Sequence, residues 1–265
     1  MSDRLLLIGC GNMAGAMLAG WLGAGLARDR FAVLDPGLRE APEGVALYST
    51  PGEVPDDHNA VLLGFKPQQL ADLAPGLQRI TGNGVQLHSL LGGITLSQLR
   101  GAFPMTSAHL RVMPNLAVRI NKSPVLLAHT GFDEGACDSA FSLYDALGTA
   151  VWLDDETRFD LLTALSGSGP GFVYRFIDAL VVAAQRLGAE RDQAQRLALA
   201  MVEGASLLAA SSECAPGELA ERVASPGGMT REGLNVLDAQ DALVDLLVNT
   251  LAATARRGGE LSEGA

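Results

Sequence analysis

The chain has 265 residues, 48% of them hydrophobic, which is enough to bury the cores of two modest domains. It carries 19 basic against 30 acidic residues, and the formal net charge of −11 gives no electrostatic support for binding nucleic acid or an anionic membrane. The three cysteines, Cys10, Cys137 and Cys214, are odd in number and widely scattered, which predicts free thiols in a reducing compartment rather than disulfides.

The apolar stretches give no sign of a membrane segment. No hydrophobic signal region precedes the first predicted strand, and Asp178 and Glu203 interrupt the longest apolar runs before they could span a bilayer. We therefore expect a soluble, cytoplasmic protein.

Residues 5–15, LLLIGCGNMAG, combine four aliphatic residues with a turn of small residues. This pattern predicts a buried strand followed by a phosphate-binding turn, in which Gly9 and Gly11 let the backbone approach a pyrophosphate and Ala14 lets the next helix pack closely. A helix that opens near Asn12 directs its free N–H groups and its positive dipole end at an anion. Glycine turns also follow strands where no ligand binds, but the strand before and the amphipathic run after this one favour a dinucleotide site.

A second aliphatic run, residues 31–34, ends at Asp35, about 20 residues beyond the first turn, where a ribose-binding acid is expected. A carboxylate at this position would bind the ribose hydroxyls and repel a 2′-phosphate, which favours NADH. The alternative is that residues 35–37, Asp-Pro-Gly, only form a turn. Arg39 keeps NADPH open as the cofactor.

Further aliphatic segments at residues 59–65, 85–91 and 110–113 alternate with helical patterns at 67–77 and 95–99. Strands that alternate with helices predict a doubly wound, mostly parallel α/β sheet.

Two closing strands are predicted at residues 124–128 and 150–153, with a helix at 134–147 between them. We therefore place the dinucleotide-binding domain at residues 1–153 and a second domain at residues 154–265.

Polar residues follow two of the predicted strands. Lys66 and Pro67 come after one strand, and Pro114 and Asn115 come after another. In open sheets the ligand lies along the carboxyl ends of the strands, although ordinary loop chemistry explains either pair taken alone.

Beyond residue 154 the strand patterns stop and long helical patterns begin. Pro170 is tolerated in a first helical turn, Ser168 is a plausible cap, and helices are predicted at residues 172–187 and 195–210. Both helices are apolar on nearly every face, and a small helical domain has too little interior to enclose them. The sequence therefore predicts a second subunit over these helices, and at least a dimer.

A second small-residue loop, Ser-Pro-Gly-Gly-Met-Thr, occupies residues 225–230, before a helix predicted to begin near Arg231. Successive N–H groups in such a loop can bind an anion, and a substrate carboxylate is the natural occupant, with the Ser225 and Thr230 hydroxyls as hydrogen-bond partners. The alternative is a Pro-Gly turn in which Thr230 is only a helix N-cap.

Common catalytic arrangements are missing from the sequence. The four histidines lie far apart and no pair has metal-ligand spacing, so no metal site is predicted and the sequence argues against a zinc hydrolase. Ser166-Gly167-Ser168-Gly169 does not match the G-x-S-x-G pattern of serine hydrolases. A nucleotide-dependent reaction that needs little acid–base help fits this sequence better.

Together these motifs resemble the pyrroline-5-carboxylate reductase family. The similarity covers nearly the whole chain and includes GCGNMAGAM at the start, KP at 66 and 67, GGITLSQL from Gly92, VMPN from Val112, LSGSGPGFVY from Leu165 and ASPGGMTREGL from Ala224. The resemblance implies a Rossmann domain, an all-helical domain that dimerises by interleaving its helices, and NAD(P)H-dependent reduction of a cyclic imine to L-proline, the last step of proline biosynthesis.

The resemblance also implies roles for individual residues. The substrate-binding residues are Ser225, Gly227, Gly228, Met229 and Thr230, with Thr230 near the ring nitrogen as the catalytic residue. The cofactor-binding residues are Gly9, Cys10, Gly11, Asn12, Met13, Ala14, Asp35, Lys66, Pro67, Leu91 and Gly92.

Four positions depart from the usual family pattern: Asp35, Leu91, Gly171 and Met229. Asp35 stands where Ser or Thr is frequent and bears on cofactor preference. Leu91 replaces a common Ala and is expected to tighten the nicotinamide or substrate pocket.

Other functions compete with this one. A related reductase of a six-membered cyclic imine acid would share the motifs. A hydroxyacid dehydrogenase would need a catalytic lysine on the helix at residues 172–187, which has none. A nucleotide-sensing protein without catalysis would account for the glycine-rich turn but not for the 225–230 loop.

Overall fold

The computed structural model of the chain describes residues 4–82 and 84–263. The strands are β1 (Leu5–Ile8), β2 (Phe31–Leu34), β3 (Ala46–Tyr48), β4 (Ala60–Leu63), β5 (Gln86–Ser89), β6 (Ala108–Met113), β7 (Ser123–Thr130) and β8 (Gly148–Trp152). The α-helices are α1 (Asn12–Gly23), α2 (Leu70–Thr81), α3 (Leu96–Ala102), α4 (Glu134–Asp145), α5 (Phe159–Ser166), α6 (Gly169–Arg186), α7 (Arg191–Ser211), α8 (Pro216–Arg222), α9 (Met229–Leu237) and α10 (Ala242–Glu263).

The strands form one sheet in the order β3-β2-β1-β4-β5-β6-β7-β8. Strands β1 to β6 are parallel, β7 is antiparallel to β6, and β8 is parallel to β7. The mostly parallel, doubly wound sheet expected from the sequence is thus confirmed. The strand order reverses between β1 and β4, which is the point where such sheets bind ligands.

The central strands are buried on both faces, as their continuous aliphatic sequences predict. Leu5 and Leu7 pack on one face of the sheet in a cluster with Trp21, whereas Leu6 and Ile8 pack on the other face. The Trp21 ring stacks on Phe31 with centroids 5.2 Å apart, and its indole N–H donates to the Leu143 carbonyl at 2.8 Å. This packing fixes α1, and with it the turn that precedes the helix.

Contacts divide the chain into two compact units: residues 1–168 with 254–265, and residues 169–253. The first division falls after Ser168 rather than after residue 153, because α5 packs on the sheet. Phe159, at the start of α5, is buried with Leu126 and Ala128 of β7. Arg111 of β6 lies 3.8 Å from the centre of the Phe159 ring, and its pairing with Glu156 at 2.8 Å fixes the segment before α5. The sequence pattern changes at residue 154, but the packing changes later.

The second unit is helical. Its buried apolar cluster contains Val181, Ala194 and Ala198, with α6 packed against α7. Many of its large apolar side chains are exposed, among them Phe176, Leu197, Leu207, Leu208, Val236, Val244 and Leu246. A single chain therefore leaves uncovered much of the apolar surface that the sequence predicts for this region.

No single helix within residues 4–82 and 84–263 is long and apolar enough to cross a bilayer. Helices α7 and α8, bent by 118°, reach the threshold of length and composition only when taken together.

Candidate functional site

The carboxyl ends of four parallel strands lie at one edge of the sheet. In the strand register Ile8 is opposite both Leu34 and Leu63, and Leu63 is opposite Ser89. The segments that directly follow these strands, including the first turn of α1, contain every cofactor-binding residue predicted from the sequence. The structure therefore brings together the glycine-rich turn (residues 9–14), Asp35, the Lys66–Pro67 pair and the segment around Gly92.

The glycine-rich turn requires small residues for a steric reason. Gly9 has φ +85°, and a Cβ there would lie 3.0 Å from the Phe65 nitrogen. A Cβ on Gly64, directly after β4, would lie 2.5 Å from the Gly9 carbonyl oxygen and 2.8 Å from the Ala14 Cβ. Gly64 is thus a structural residue of this site that the sequence motif did not reveal, because it follows a different strand.

The N-terminus of α1 is open to a ligand. Gly11 is the N-cap, no side chain caps the helix, and a Cβ built on Gly11 meets nothing within 4 Å. The first N–H groups of a helix have no acceptor within it, and they carry partial positive charge. The open space at Gly11 and the donors that follow it fit a pyrophosphate, so the residues present suit the dinucleotide implied by the motif.

Each carboxylate oxygen of Asp35 accepts a hydrogen bond from a backbone N–H. Its Oδ2 accepts the Cys10 N–H at 2.8 Å, and its Oδ1 accepts the Gly37 N–H at 2.8 Å. Residues 35–37 thus form a turn, and the Asp35 carboxylate also tethers the glycine-rich turn. The ribose-binding role stays a prediction. Burial first, and the nearby Asp35 charge second, raise the pKa of the Cys10 thiol, so Cys10 adds no negative charge beside the phosphate site.

The remaining cofactor positions differ from one another in exposure. Lys66 is exposed, and its N–H donates to the Gln69 side chain at 3.1 Å. A Cβ on Gly92 would meet nothing within 4 Å, so this residue offers open backbone. Leu91 is 2% exposed and packs in the core. Its expected effect on the nicotinamide or substrate pocket stays a prediction.

Asn115, which follows β6, has a structural role. Its N–H donates to the Ser123 hydroxyl, its side-chain oxygen accepts the Ala117 N–H, and its side-chain NH₂ donates to the Ser166 carbonyl, each at 2.9 Å. It is 5% exposed. The buried side chain thus joins the end of β6 to the end of α5, which is the ordinary loop chemistry considered for this pair.

The 225–230 loop forms a tight turn that opens α9. Gly227 has φ +71°, a conformation that favours glycine, and the Gly228 N–H donates to the Ser225 carbonyl at 2.9 Å. Gly228 is the N-cap, and α9 begins at Met229 rather than near Arg231. Thr230 therefore lies in the first helical turn, and the N-cap role considered for it is wrong.

This loop is open to a ligand in the same way as the glycine-rich turn. No side chain caps α9, so the N–H groups of residues 229–231 point out of the helix end. Ser225 and Thr230 are exposed, and Met229 is 94% exposed. Residues 225–230 offer backbone N–H donors and two hydroxyls, and they include no acidic side chain. This combination suits a carboxylate.

An ion pair holds the two ends of this loop. Arg231, in the first turn of α9, donates from Nη1 to Glu221 Oε1 on α8 at 3.3 Å and from Nη2 to Glu221 Oε2. Its Nη2 also donates to the Ala224 carbonyl at 3.3 Å. The hydrogen bond and charge of Arg231 lower the pKa of Glu221, and Glu221 in turn raises the pKa of Arg231. Sequence reasoning missed this pair, since a spacing of ten residues has no helical signature.

Within residues 4–82 and 84–263, no group of three or more His, Cys, Asp and Glu side chains is arranged to hold a metal ion. The fold and the open turn at the strand-order reversal instead define a Rossmann-type dinucleotide-binding protein with a helical second unit.

The comparisons with known proteins narrow this class. Residues 156–261 match the family model described as pyrroline-5-carboxylate reductase dimerisation. The chain is 31% identical to a pyrroline-5-carboxylate reductase of Pseudomonas aeruginosa over 270 aligned positions, which cover 99% of this chain and 98% of that protein.

Two solved structures are similar over 99% of both chains. A pyrroline-5-carboxylate reductase from Coxiella burnetii has a TM-score of 0.92 at 28% identity. The Plasmodium falciparum pyrroline carboxylate reductase, solved with NADP bound, has a TM-score of 0.83 at 20% identity. The chain belongs to the pyrroline-5-carboxylate reductase family.

Proposed function

We propose that the chain reduces 1-pyrroline-5-carboxylate to L-proline with NAD(P)H. Family membership supports the reaction, and the observation that carries it is the pair of uncapped helix N-termini, one preceded by the glycine-rich turn and the other by the 225–230 loop. A dinucleotide and a cyclic imine acid each present an anionic group, and each of these helix ends suits one of them.

The first helix end binds the cofactor in this proposal. Gly9 and Gly11 let the backbone approach the pyrophosphate, the N–H groups of Asn12 and Met13 donate to it, and Asp35 binds the adenosine ribose. Lys66, Pro67 and Gly92 line the same edge of the sheet. When bound, the reduced nicotinamide supplies the hydride that the imine carbon accepts.

The second helix end binds the substrate. The backbone N–H groups of residues 227, 229 and 230 hold the carboxylate beside Gly228, whose own N–H already donates to the Ser225 carbonyl, and the Ser225 hydroxyl adds a donor. The Thr230 hydroxyl lies near the ring nitrogen, orients it and stabilises the amine that forms there. A cyclic imine can bind already protonated, so positioning and exclusion of water carry most of the catalysis and no histidine is needed.

Asp35 favours NADH over NADPH in this proposal, because its carboxylate would repel a 2′-phosphate. Arg39, exposed four residues later, is the cation that would favour NADPH. The Plasmodium relative was solved with NADP, so the two cofactors must be compared directly on this chain.

The exposed apolar helices of the second unit and the match to a dimerisation family model support a homodimer formed through this unit. We expect sedimentation at micromolar concentration to give at least a dimer, and a stable 27.6 kDa monomer would contradict this. The three free cysteines support a cytoplasmic location.

The test is a reductase assay with racemic pyrroline-5-carboxylate and each reduced cofactor. We expect oxidation of the cofactor with formation of proline, and slower turnover of a six-membered cyclic imine acid. Binding of the cofactor without its oxidation would instead indicate a nucleotide sensor.

Thr230→Ala tests the proposed role of the hydroxyl. Loss of one hydrogen bond to the reacting nitrogen should lower kcat about tenfold, with cofactor affinity unchanged. Thr230→Ser, which keeps the hydroxyl, is the matched control and should retain most of the activity. Wild-type turnover by Thr230→Ala would show that this role is wrong.

A further inference from the structure

A cationic side chain reaches the glycine-rich turn from a distant part of the sheet. The five-residue 3₁₀ segment Leu116–Ile120 follows β6. In the sheet, β4 and β5 lie between β6 and β1. The segment nevertheless packs against α1. Its Arg119 side chain donates from Nη2 to the Asn12 side-chain oxygen at 3.1 Å, at the first residue of α1.

The backbone of this segment is held firmly in place. A Cβ on Gly20 of α1 would lie 2.3 Å from the Val118 carbonyl oxygen, so the close approach requires glycine. Asn121, with φ +53°, donates from its side chain to the Gly20 carbonyl at 3.0 Å and to the Ala146 carbonyl at 2.7 Å. Val118 is fully buried. Arg119 therefore extends from a fixed backbone, whereas its own side chain is exposed.

The surroundings of Arg119 make its charge effective. The first turn of α1 contains no acidic residue, and the helix end already carries partial positive charge. Because the oxygen of the Asn12 amide accepts from Arg119, the NH₂ of the same amide remains a donor. In a chain of net charge −11, a guanidinium at this point raises the local potential where an anion is bound.

We infer that Arg119 is a further cofactor-binding residue, which contacts the pyrophosphate of the bound dinucleotide with Asn12 as its support. This inference rests on the proposed function, since it takes the glycine-rich turn as the dinucleotide site. The pyrophosphate is common to NADH and NADPH, whereas a 2′-phosphate would lie at the ribose end near Asp35. Arg119 therefore acts on both cofactors alike and does not select between them.

The test is a fluorescence titration of NADH and NADPH against wild type, Arg119→Gln and Arg119→Lys at low and high salt. Loss of one exposed charge-assisted contact should raise Kd about threefold to tenfold for both cofactors in Arg119→Gln. The increase of Kd with salt should also become less steep, which a purely structural role would not cause. Arg119→Lys keeps the charge, so its Kd values should lie between those of wild type and Arg119→Gln.

Arg100→Gln is the matched control, because it removes one exposed arginine from α3 of the same unit. It should leave both Kd values unchanged. Wild-type affinity in Arg119→Gln, or a loss confined to NADPH, would overturn this inference and leave the proposed function standing. A wild-type chain that binds neither NADH nor NADPH would overturn both this inference and the proposed function.

Discussion

The glycine-rich turn and the 225–230 loop both suit an anionic group, but they are built in two different ways. Each presents the uncapped N-terminus of a helix preceded by glycine. The first turn is built into the core of a sheet, where Gly9, Ala14 and Gly64 are in close contact. The second is exposed, and its shape depends on a tight turn and on the pair formed by Arg231 and Glu221.

This difference shows where each site tolerates change. A side chain added at Gly9 or Gly64 meets backbone that cannot move without disturbing buried strands, so binding and folding are coupled at these two positions. The ion pair of the second loop is exposed to solvent, so its loss should affect substrate binding while the fold is kept. The predictions below test this contrast.

The largest effect should come from Gly64→Ala. The added Cβ would lie 2.5 Å from the Gly9 carbonyl oxygen, so the turn must shift. We expect dinucleotide affinity to fall at least about tenfold, through loss of several backbone hydrogen bonds, and the free energy of unfolding to fall by about 1–3 kcal/mol. Cofactor titration and chemical denaturation measure the two effects.

Two other glycines make this test specific. Gly11→Ala places its Cβ in open space, so it should weaken cofactor binding and leave the free energy of unfolding nearly unchanged. Gly76→Ala in α2 is also open and lies away from the site, so it should change neither binding nor turnover. Equal stability of Gly64→Ala and wild type would contradict the steric account.

A smaller effect is expected from Asp35→Ser, which removes the carboxylate beside the expected ribose position. The ratio of kcat/KM for NADPH to that for NADH should rise about tenfold, since one repulsive charge near a phosphate is lost. The Cys10 N–H also loses its acceptor at 2.8 Å, so affinity for both cofactors should fall slightly. A wild-type enzyme that strongly prefers NADPH would refute the repulsion argument.

The smallest effect should come from Glu221→Gln in the second loop. Loss of the exposed ion pair should raise the KM for the imine acid about two- to fivefold and leave the cofactor Kd unchanged. Glu218→Gln on the same helix is the control for charge alone.

The pH dependence of this effect follows from the lowered pKa of Glu221. Its carboxylate is charged above the ordinary glutamate pKa of about 4.3, and the pair is lost only as the pH falls through the lowered value. The ratio of KM values for Glu221→Gln and wild type should therefore be constant between about pH 5 and 8. A ratio that changes in this range would assign the effect to another group.

Local sequence patterns predicted most of the fold and the positions of both loops. The G-x-G-x-x-A spacing, the aliphatic runs and the acid after β2 are each encoded within a few consecutive residues. The short strand β3 was not predicted, because its three half-buried residues carry no alternation long enough to recognise.

The features that the sequence did not reveal depend on contacts between distant segments. Gly64 is constrained by Gly9, which follows the neighbouring strand β1, and Arg119 reaches Asn12 because Val118 packs on Gly20. Helix α5 belongs to the first compact unit for the same reason, since the contacts of Arg111 with Glu156 and Phe159 join it to the sheet. A single sequence gives no spacing signal for such contacts.

The most direct test of the account is a crystal structure of the chain with NADH and L-proline, the expected product. We predict that the proline carboxylate lies about 2.7–3.2 Å from the backbone nitrogens of residues 227, 229 and 230, with the pyrophosphate at the glycine-rich turn. A carboxylate bound elsewhere, with no ligand contact to residues 225–230, would contradict the account.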